Sequence, residues 1–371
     1  MKNFKNLRIV KLLFIVSFIL ATELFGQWNF SLATLQEYSD NPFHSPIPIS
    51  TFISSLDLGI EYKYESLGIG YYGNYSMFHE IADRNFYWHQ IGLWNSADNL
   101  MYGLYLEQRI NNTDYEFYDY TNYNGYAKYK FSFAEINGFA SSSLSLTNYA
   151  YIDDLDNLLG FAGLGFNKSF ETKTTIIGGV SYNYKNYFDT NLNDPSLVGD
   201  SLEQSFSSSA FTSQVYLYGR IAQSVFENTG LAIQYSHQKI IGGTAKYVRQ
   251  LDFIYGDESQ YFDDPISYEG NTISVQLTQL LGEGIIFKGN YLLTQKEYPS
   301  QGIYVDAENF DSAILRSDDQ TLVKLSLSKK FNLAESFIDI SLSYLNIDNK
   351  SNSYWYKYGS SQFNINFDYQ F

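Results

Sequence analysis

The chain has 371 residues, with 40 acidic against 24 basic side chains and a formal charge of −16, a balance that argues against a nucleic-acid partner and against a polybasic grip on anionic headgroups. Without cysteine it can form no disulfide and carry no lipid on an N-terminal thiol. Its 35 tyrosines and 29 phenylalanines sit in a chain whose mean hydropathy is only −0.26, so each segment is expected to be apolar on one side and wet on the other.

Residues 1–26 read as a secretory signal. Lys2, Lys5, Arg8 and Lys11 precede the apolar core "LLFIVSFILA" (12–21), which is too short to span a bilayer as a helix, and "TELFG" follows. Cleavage after Gly26 leaves 27–371, in which no apolar run is long enough for a membrane helix.

From residue 27 onward a two-residue period recurs. Strands are predicted at 27–36, 50–64, 67–78, 85–95, 99–110, 118–131, 135–149, 158–169, 173–186, 208–222, 230–242, 266–281, 285–297, 318–331, 336–347 and 354–371. In "LDLGIEYKY" (56–64), Leu56, Leu58, Ile60, Tyr62 and Tyr64 alternate with Asp57, Gly59, Glu61 and Lys63; "NTISVQLTQL" (271–280) and "FIDISLSYL" (337–345) repeat the pattern. The connections fall into two classes by parity. Short ones lie at 65–66, 96–98, 132–135, 170–173, 226–230, 282–284 and 332–335. Long acidic ones lie at 37–49, 187–207, 243–265 and 298–317, with shorter members at 79–84, 111–117, 150–157 and 348–353. A soluble sandwich has no reason to sort its loops this way, whereas a membrane barrel does. The expected fold is all-β: one transmembrane antiparallel up-and-down barrel over 27–371, of about 16 strands, with 14 the nearest competing count. The stretch 240–256 could hold a loop hairpin or extend its neighbours.

Hydrocarbon leaves no backbone polar group unpaired, and a closed sheet pairs them all. The apolar set is therefore expected to face lipid and the Asn, Gln, Ser, Thr and Tyr set the lumen. At this strand number the lumen is too wide for side chains to fill. Tyr62, Tyr64, Trp94, Tyr182, Tyr184, Tyr187, Tyr291 and Trp355 are expected in the interfacial girdle.

The chain closes on "FNINFDYQF" (363–371). Phe363, Ile365, Phe367, Tyr369 and Phe371 alternate with Asn364, Asn366, Asp368 and Gln370. With the signal sequence and the loop parity, this ending resembles bacterial outer-membrane β-barrel proteins of porin-like layout, along the whole mature chain. The resemblance implies an outer-membrane location, a lipid surround, and a barrel-assembly machinery that reads the last strand as its signal, carried here by those five apolar residues. "RSDDQTLVKLSLSKKF" (316–331) and the residues from 341 to the end are also similar to the closing strands of surface lipoprotein assembly modifier barrels, a family with a helical-repeat domain before the barrel.

Chemistry is sparse by comparison. The histidines are His44, His79, His89 and His237. In "YSHQ" (235–238) Ser236 and His237 fall on opposite faces of one strand, so no catalytic residue is assigned. The acids of "DDLDN" (153–157) and Asp252, Asp257, Glu258, Asp263 and Asp264 lack the glycine-turned spacing of a calcium loop, and no metal or cofactor is assigned. Lys63, Lys128, Lys130, Arg220, Lys288 and Lys330 lie near the short-turn ends of their strands, most facing the lumen by parity. The long loops carry Asp189, Asp194, Asp200, Glu203, Asp306, Glu308, Asp311, Asp318 and Asp319. An acidic outer vestibule above a basic inner mouth would bias the ions that enter; lysines that only snorkel to water would not. "SDNPFHSPIP" (39–48) either folds inward as a constriction or forms a stiff surface turn. The expected function is passive passage of small solutes or ions, without enzymatic activity. The alternatives are a barrel guiding a protein or polysaccharide to the surface, and a structural or adhesive barrel with an occluded pore. Oligomeric state is not legible.

Overall fold

Alternation that is strict on one face and polar on the other can be satisfied by a sheet that closes on itself, and the chain does so. The computed structural model describes residues 28–188, 211–243, 264–333 and 336–371. The signal reading at 1–26 lies outside them, as do the loop acids Asp189, Asp194, Asp200, Glu203, Asp252, Asp257, Glu258 and Asp263, and the part of 240–256 beyond Gly243.

Sixteen strands are formed by the described residues. The first eight are β1 (Trp28–Ser39), β2 (Thr51–Tyr64), β3 (Leu67–Phe78), β4 (Phe86–Ala97), β5 (Leu100–Asn111), β6 (Tyr120–Phe133), β7 (Ile136–Tyr149) and β8 (Asn157–Ser169). The second eight are β9 (Thr174–Tyr187), β10 (Phe211–Phe226), β11 (Thr229–Gly243), β12 (Glu269–Leu280), β13 (Ile285–Tyr304), β14 (Phe310–Asn332), β15 (Phe337–Ser351) and β16 (Tyr358–Gln370). Each pairs antiparallel with its neighbours in sequence, and β1 pairs with β16 to close the cylinder. The seam runs to the end of the chain: Phe30 and Phe371 exchange backbone hydrogen bonds of 2.9 and 3.0 Å, and their rings stack at 5.3 Å. The predicted strand count and order hold.

The connections sort as expected. Short turns at 65–66, 98–99, 134–135, 170–173, 227–228 and 281–284 share one end with the close of β14 and the start of β15, and the longer described loops share the other. Glu65, Asp98, Ala134, Lys173 and Glu283 take positive φ in these turns, the backbone that tight hairpin connections demand. Strand ends shift by a few residues in several places, and the widest departure from expectation is at the β13–β14 connection. The stretch 298–317 is no loop; β13 and β14 continue as a hairpin whose tip is 305–309. Beyond the bilayer the two-residue period is no longer enforced, so bulged pairing from Glu297 onward escapes a periodicity reading.

The outer wall is apolar and bare. Leu104 is 68% exposed and Ile233 51%, and Leu58, Leu93, Leu217, Leu293 and Leu325 are exposed on the same outward face. A soluble barrel would bury this face; here lipid covers it. Most buried hydrophobic residues instead lie at the loop end: Phe43, Phe78, Tyr118, Tyr149, Leu155, Tyr187, Tyr298, Ile303, Tyr304 and Tyr356. The protein's packed core is thus a collar around one mouth of an otherwise hollow cylinder.

Candidate functional site: the lumen and its mouths

Pairing register fixes which side chains face inward. The rows containing Lys63, Lys128, Lys130, Arg220, Lys288 and Lys330 alternate with the lipid-facing rows of Tyr62, Tyr129, Ile221, Tyr291 and Phe331, so all six predicted cations lie on the lumenal wall toward the turn end. They do not form a ring of bare charge. Lys63 pairs with Glu61 at 2.9 Å, Arg220 Nη2 donates to Gln276 Oε1 at 2.8 Å, and the Lys128 and Lys330 ammoniums stand 4.6 and 3.3 Å from the Phe139 and Phe337 ring centroids. Lys330, Asp339 and Asp368 share one row across β14, β15 and β16. Five of the six cations therefore lie on the arc from β6 to β14 and Lys63 stands on β2 beside Glu61, while Asp57, Glu61, Asp339 and Asp368 lie on the arc from β15 through the β1–β16 seam to β2.

The five residues expected to carry an assembly signal face the other way. Phe363, Ile365 and Phe367 share rows with Tyr344, Leu342 and Ile340 on one side and Tyr38, Gln36 and Thr34 on the other, with Tyr369 and Phe371 continuing the outward set. Asn364, Asn366, Asp368 and Gln370 face the lumen. Ser236 shares its row with Tyr218 inside, and His237 with Leu217 outside.

Aromatic rings on the inner wall lie flat, and glycine is the reason. A Cβ on Gly92 would come within 2.3 Å of the Tyr105 ring; on Gly68, within 2.3 Å of Trp94; on Gly103, within 2.8 Å of Tyr126; on Gly179, within 2.5 Å of Tyr218. Each ring rests where the neighbouring strand has no side chain. Trp94, Tyr105 and Tyr126 then form a stacked stripe with centroids 6.3 and 5.7 Å apart. Trp94 is accordingly a lumen residue and not part of the girdle. Tyr187 also points inward, and Trp355 sits in the loop after β15, its indole N–H donating to the Ala307 carbonyl at 3.3 Å. Tyr62, Tyr64, Tyr182, Tyr184 and Tyr291 do lie on the lipid side.

The loop end is narrowed by segments that fold in. The residues before β12 lie against the inner wall: Gln214 and Gln238 each donate to the Pro265 and Tyr268 carbonyls, at 3.3 and 2.9 Å and at 3.0 and 3.0 Å. Lys185 forms a buried ion pair with Asp264, which also accepts from the Tyr187 hydroxyl at 3.2 Å. Asp264 is thus a structural anchor, not a solvated loop acid. The 39–48 stretch folds inward as well. Phe43 stacks on Phe78 at 5.8 Å, Asn41 donates to Gly359 O across the seam at 2.8 Å, and the His44 ring lies on Tyr358.

Two further cations organise the collar. The Arg84 guanidinium lies over Phe43, Tyr115 and Tyr118, 4.8, 4.0 and 5.7 Å from their centroids, joining three loops. Arg316 is paired with Asp318, its guanidinium 3.9 and 3.4 Å from the Tyr298 and Tyr356 ring centroids and donating to Gln301 Oε1 at 3.1 Å. Asp318, expected in an acidic vestibule, is fully buried here. Sequence reading missed both constellations because each is assembled from separate segments of the chain; a hint was the run of Tyr in 354–358.

No protein-family model and no curated protein matches the chain. Solved structures do. Acinetobacter baumannii OccAB1 superposes with a TM-score of 0.55 at 10% identity, covering 93% of this chain and 96% of that one. Pseudomonas aeruginosa outer membrane protein OpdK gives 0.54 at 8%, covering 93% and 100%. A bacterial polysaccharide outer membrane secretin gives 0.51 at 10%, covering 93% and 98%. The fold is that of an outer-membrane barrel. At these identities the likeness speaks for the architecture, and for an outer-membrane barrel the short turns face the periplasm and the collar faces out.

Proposed function

We propose that this outer-membrane barrel is a porin-type channel through which small solutes or ions pass down their gradients. The observation that carries it is the inner wall: a closed cylinder of sixteen strands whose inward rows are hydroxyls, amides, flat aromatic rings and charged pairs, narrowed at one end by loop segments that fold against the wall. Such a wall lowers the barrier for a hydrated solute, and the inward segments set the size limit. OccAB1 and OpdK share this architecture over nearly their whole lengths, which supports the reading. Nothing in it requires catalysis. The opposed arcs of cations and acids lay a field across the lumen that orients a charged or dipolar solute and gives a modest ion preference.

Residues 1–26 serve export across the inner membrane, and the outward set Phe363, Ile365, Phe367, Tyr369 and Phe371 serves as the address read by the barrel-assembly machinery. Planar-bilayer recording tests the channel: stable open steps whose size scales with salt are expected. Silence across a range of salts and voltages would refute passive conduction and favour an assembly or structural barrel.

A further inference from the structure

Beneath the inward segment before β12 the lumenal wall of β6–β11 lines a half-open cavity of about 720 Å³, a size typical of small-molecule sites. Its lining is unlike the mouth below it. Phe161, Tyr216 and Tyr218 present rings; a Cβ on Gly179 would come within 2.5 Å of the Tyr218 ring, and one on Gly163 within 2.8 Å of the end of the Phe161 ring. A ring held flat on the wall turns its other face to the lumen. Between the rings stand amides and hydroxyls, among them Asn122, Ser181 and Asn183. The charged groups of the cavity, Lys185 and Asp264, are engaged with each other, so the pair presents no net charge to a ligand.

We infer that this cavity is a subsite for neutral sugars, a deepening that rests on the channel reading. A pyranose offers C–H faces that stack on aromatic rings and a rim of hydroxyls that bond amides, and the lining supplies both. An ion would instead require an uncompensated charge to offset its desolvation, and the Lys185–Asp264 pair supplies none. Lys128 at the Phe139 ring and Arg220 at Gln276 keep their charge but lie further toward the turn end, outside the lining of the cavity.

The test is sugar blockade of single-channel current, with maltotriose as the neutral probe and a trigalacturonate of the same length as the acidic one. Maltotriose is expected to interrupt the wild-type current in discrete closures. Tyr218→Ala and Phe161→Ala should each weaken that blockade about three- to tenfold, the range of one aromatic stacking contact, while Tyr218→Phe keeps the ring face and should keep the blockade. The open-channel conductance of each variant reports that it is folded. Conductance without maltotriose closures would overturn the subsite and leave the channel standing. Closures by the acidic probe alone would overturn the neutral class. Blockade undiminished in both alanine variants would overturn the location. A silent protein would overturn subsite and channel together.

Discussion

Replacing Arg316 by Met tests whether the collar is held by its buried charges. Arg316 and Asp318 have side chains 1% and 0% exposed. Removing the guanidinium leaves the carboxylate with the Asn349 amide at 3.2 Å as its remaining hydrogen-bond donor among these contacts, and an uncompensated buried anion of this kind costs about 3–5 kcal/mol. The cost falls on the outer hairpin of β13–β14 and not on the lipid-embedded sheet, because the contacts of Arg316 with Tyr298, Gln301 and Tyr356 all lie at that end. Amide hydrogen exchange reads it directly. Protection at Tyr304 and Ser317, whose N–H groups donate to Ser353 Oγ and Asn352 Oδ1, should fall by roughly two to four orders of magnitude, up to the local opening limit. Protection at Val323 and Leu325 in mid-barrel should not change. Arg316→Met combined with Asp318→Leu should recover most of the loss, since an apolar pair of similar volume needs no partner. A double variant as unprotected as the single one, or a single variant as protected as wild type, would show that ring packing and not charge holds the hairpin.

Deleting Phe371 removes a backbone pair and a stacked ring from the seam with Phe30; quantitative blotting should find the protein exported but scarce in the outer membrane, and normal amounts there would sink the assembly-address reading. Gly92→Val forces the Tyr105 ring off the wall, and overpacking of this kind costs about 1–3 kcal/mol. Urea unfolding should show the loss and its relief by Tyr105→Ser, and an unchanged midpoint would count against the seating. At the hairpin tip, the Asp306 carboxylate accepts from the Glu308 and Asn309 amides and the Asn309 side chain, which hold its pKa below the usual 3.8. A lowered carboxyl stabilises the turn above its unfolded value and ceases to as pH falls through the folded one. Exchange at Glu308 and Asn309 should therefore accelerate, relative to a disordered peptide, as pH drops below about that range, and Asp306→Asn should abolish the dependence.

Strand count, order and the sorting of turns from loops were legible because hydrocarbon admits no compromise: a strand such as 56–64 must put Leu56, Leu58 and Ile60 outward or fail. The phase of Trp94 was not, since an aromatic residue suits either the girdle or the lumen, and only Gly68 and Gly103 on the flanking strands decide it. The collar was illegible for a different reason. Arg84, Arg316 and Asp264 stand in stretches predicted as connections, which carry no periodic pattern, and their burial arises from partners up to 79 residues away in sequence, as with Lys185 and Asp264. Outside the bilayer many loop packings satisfy the same composition, so periodicity loses its authority where function is concentrated.

The flat rings on the inner wall carry a consequence for bore. A tyrosine lying down takes up little of a channel's radius; the same tyrosine standing up would reach well across it. Gly92, Gly103 and Gly179 lie beneath the rings, yet a single methyl at any of them would tilt a ring into the path. The aperture of this barrel is written in positions that have no side chain, and it can be tuned from there without placing any new group in the passage.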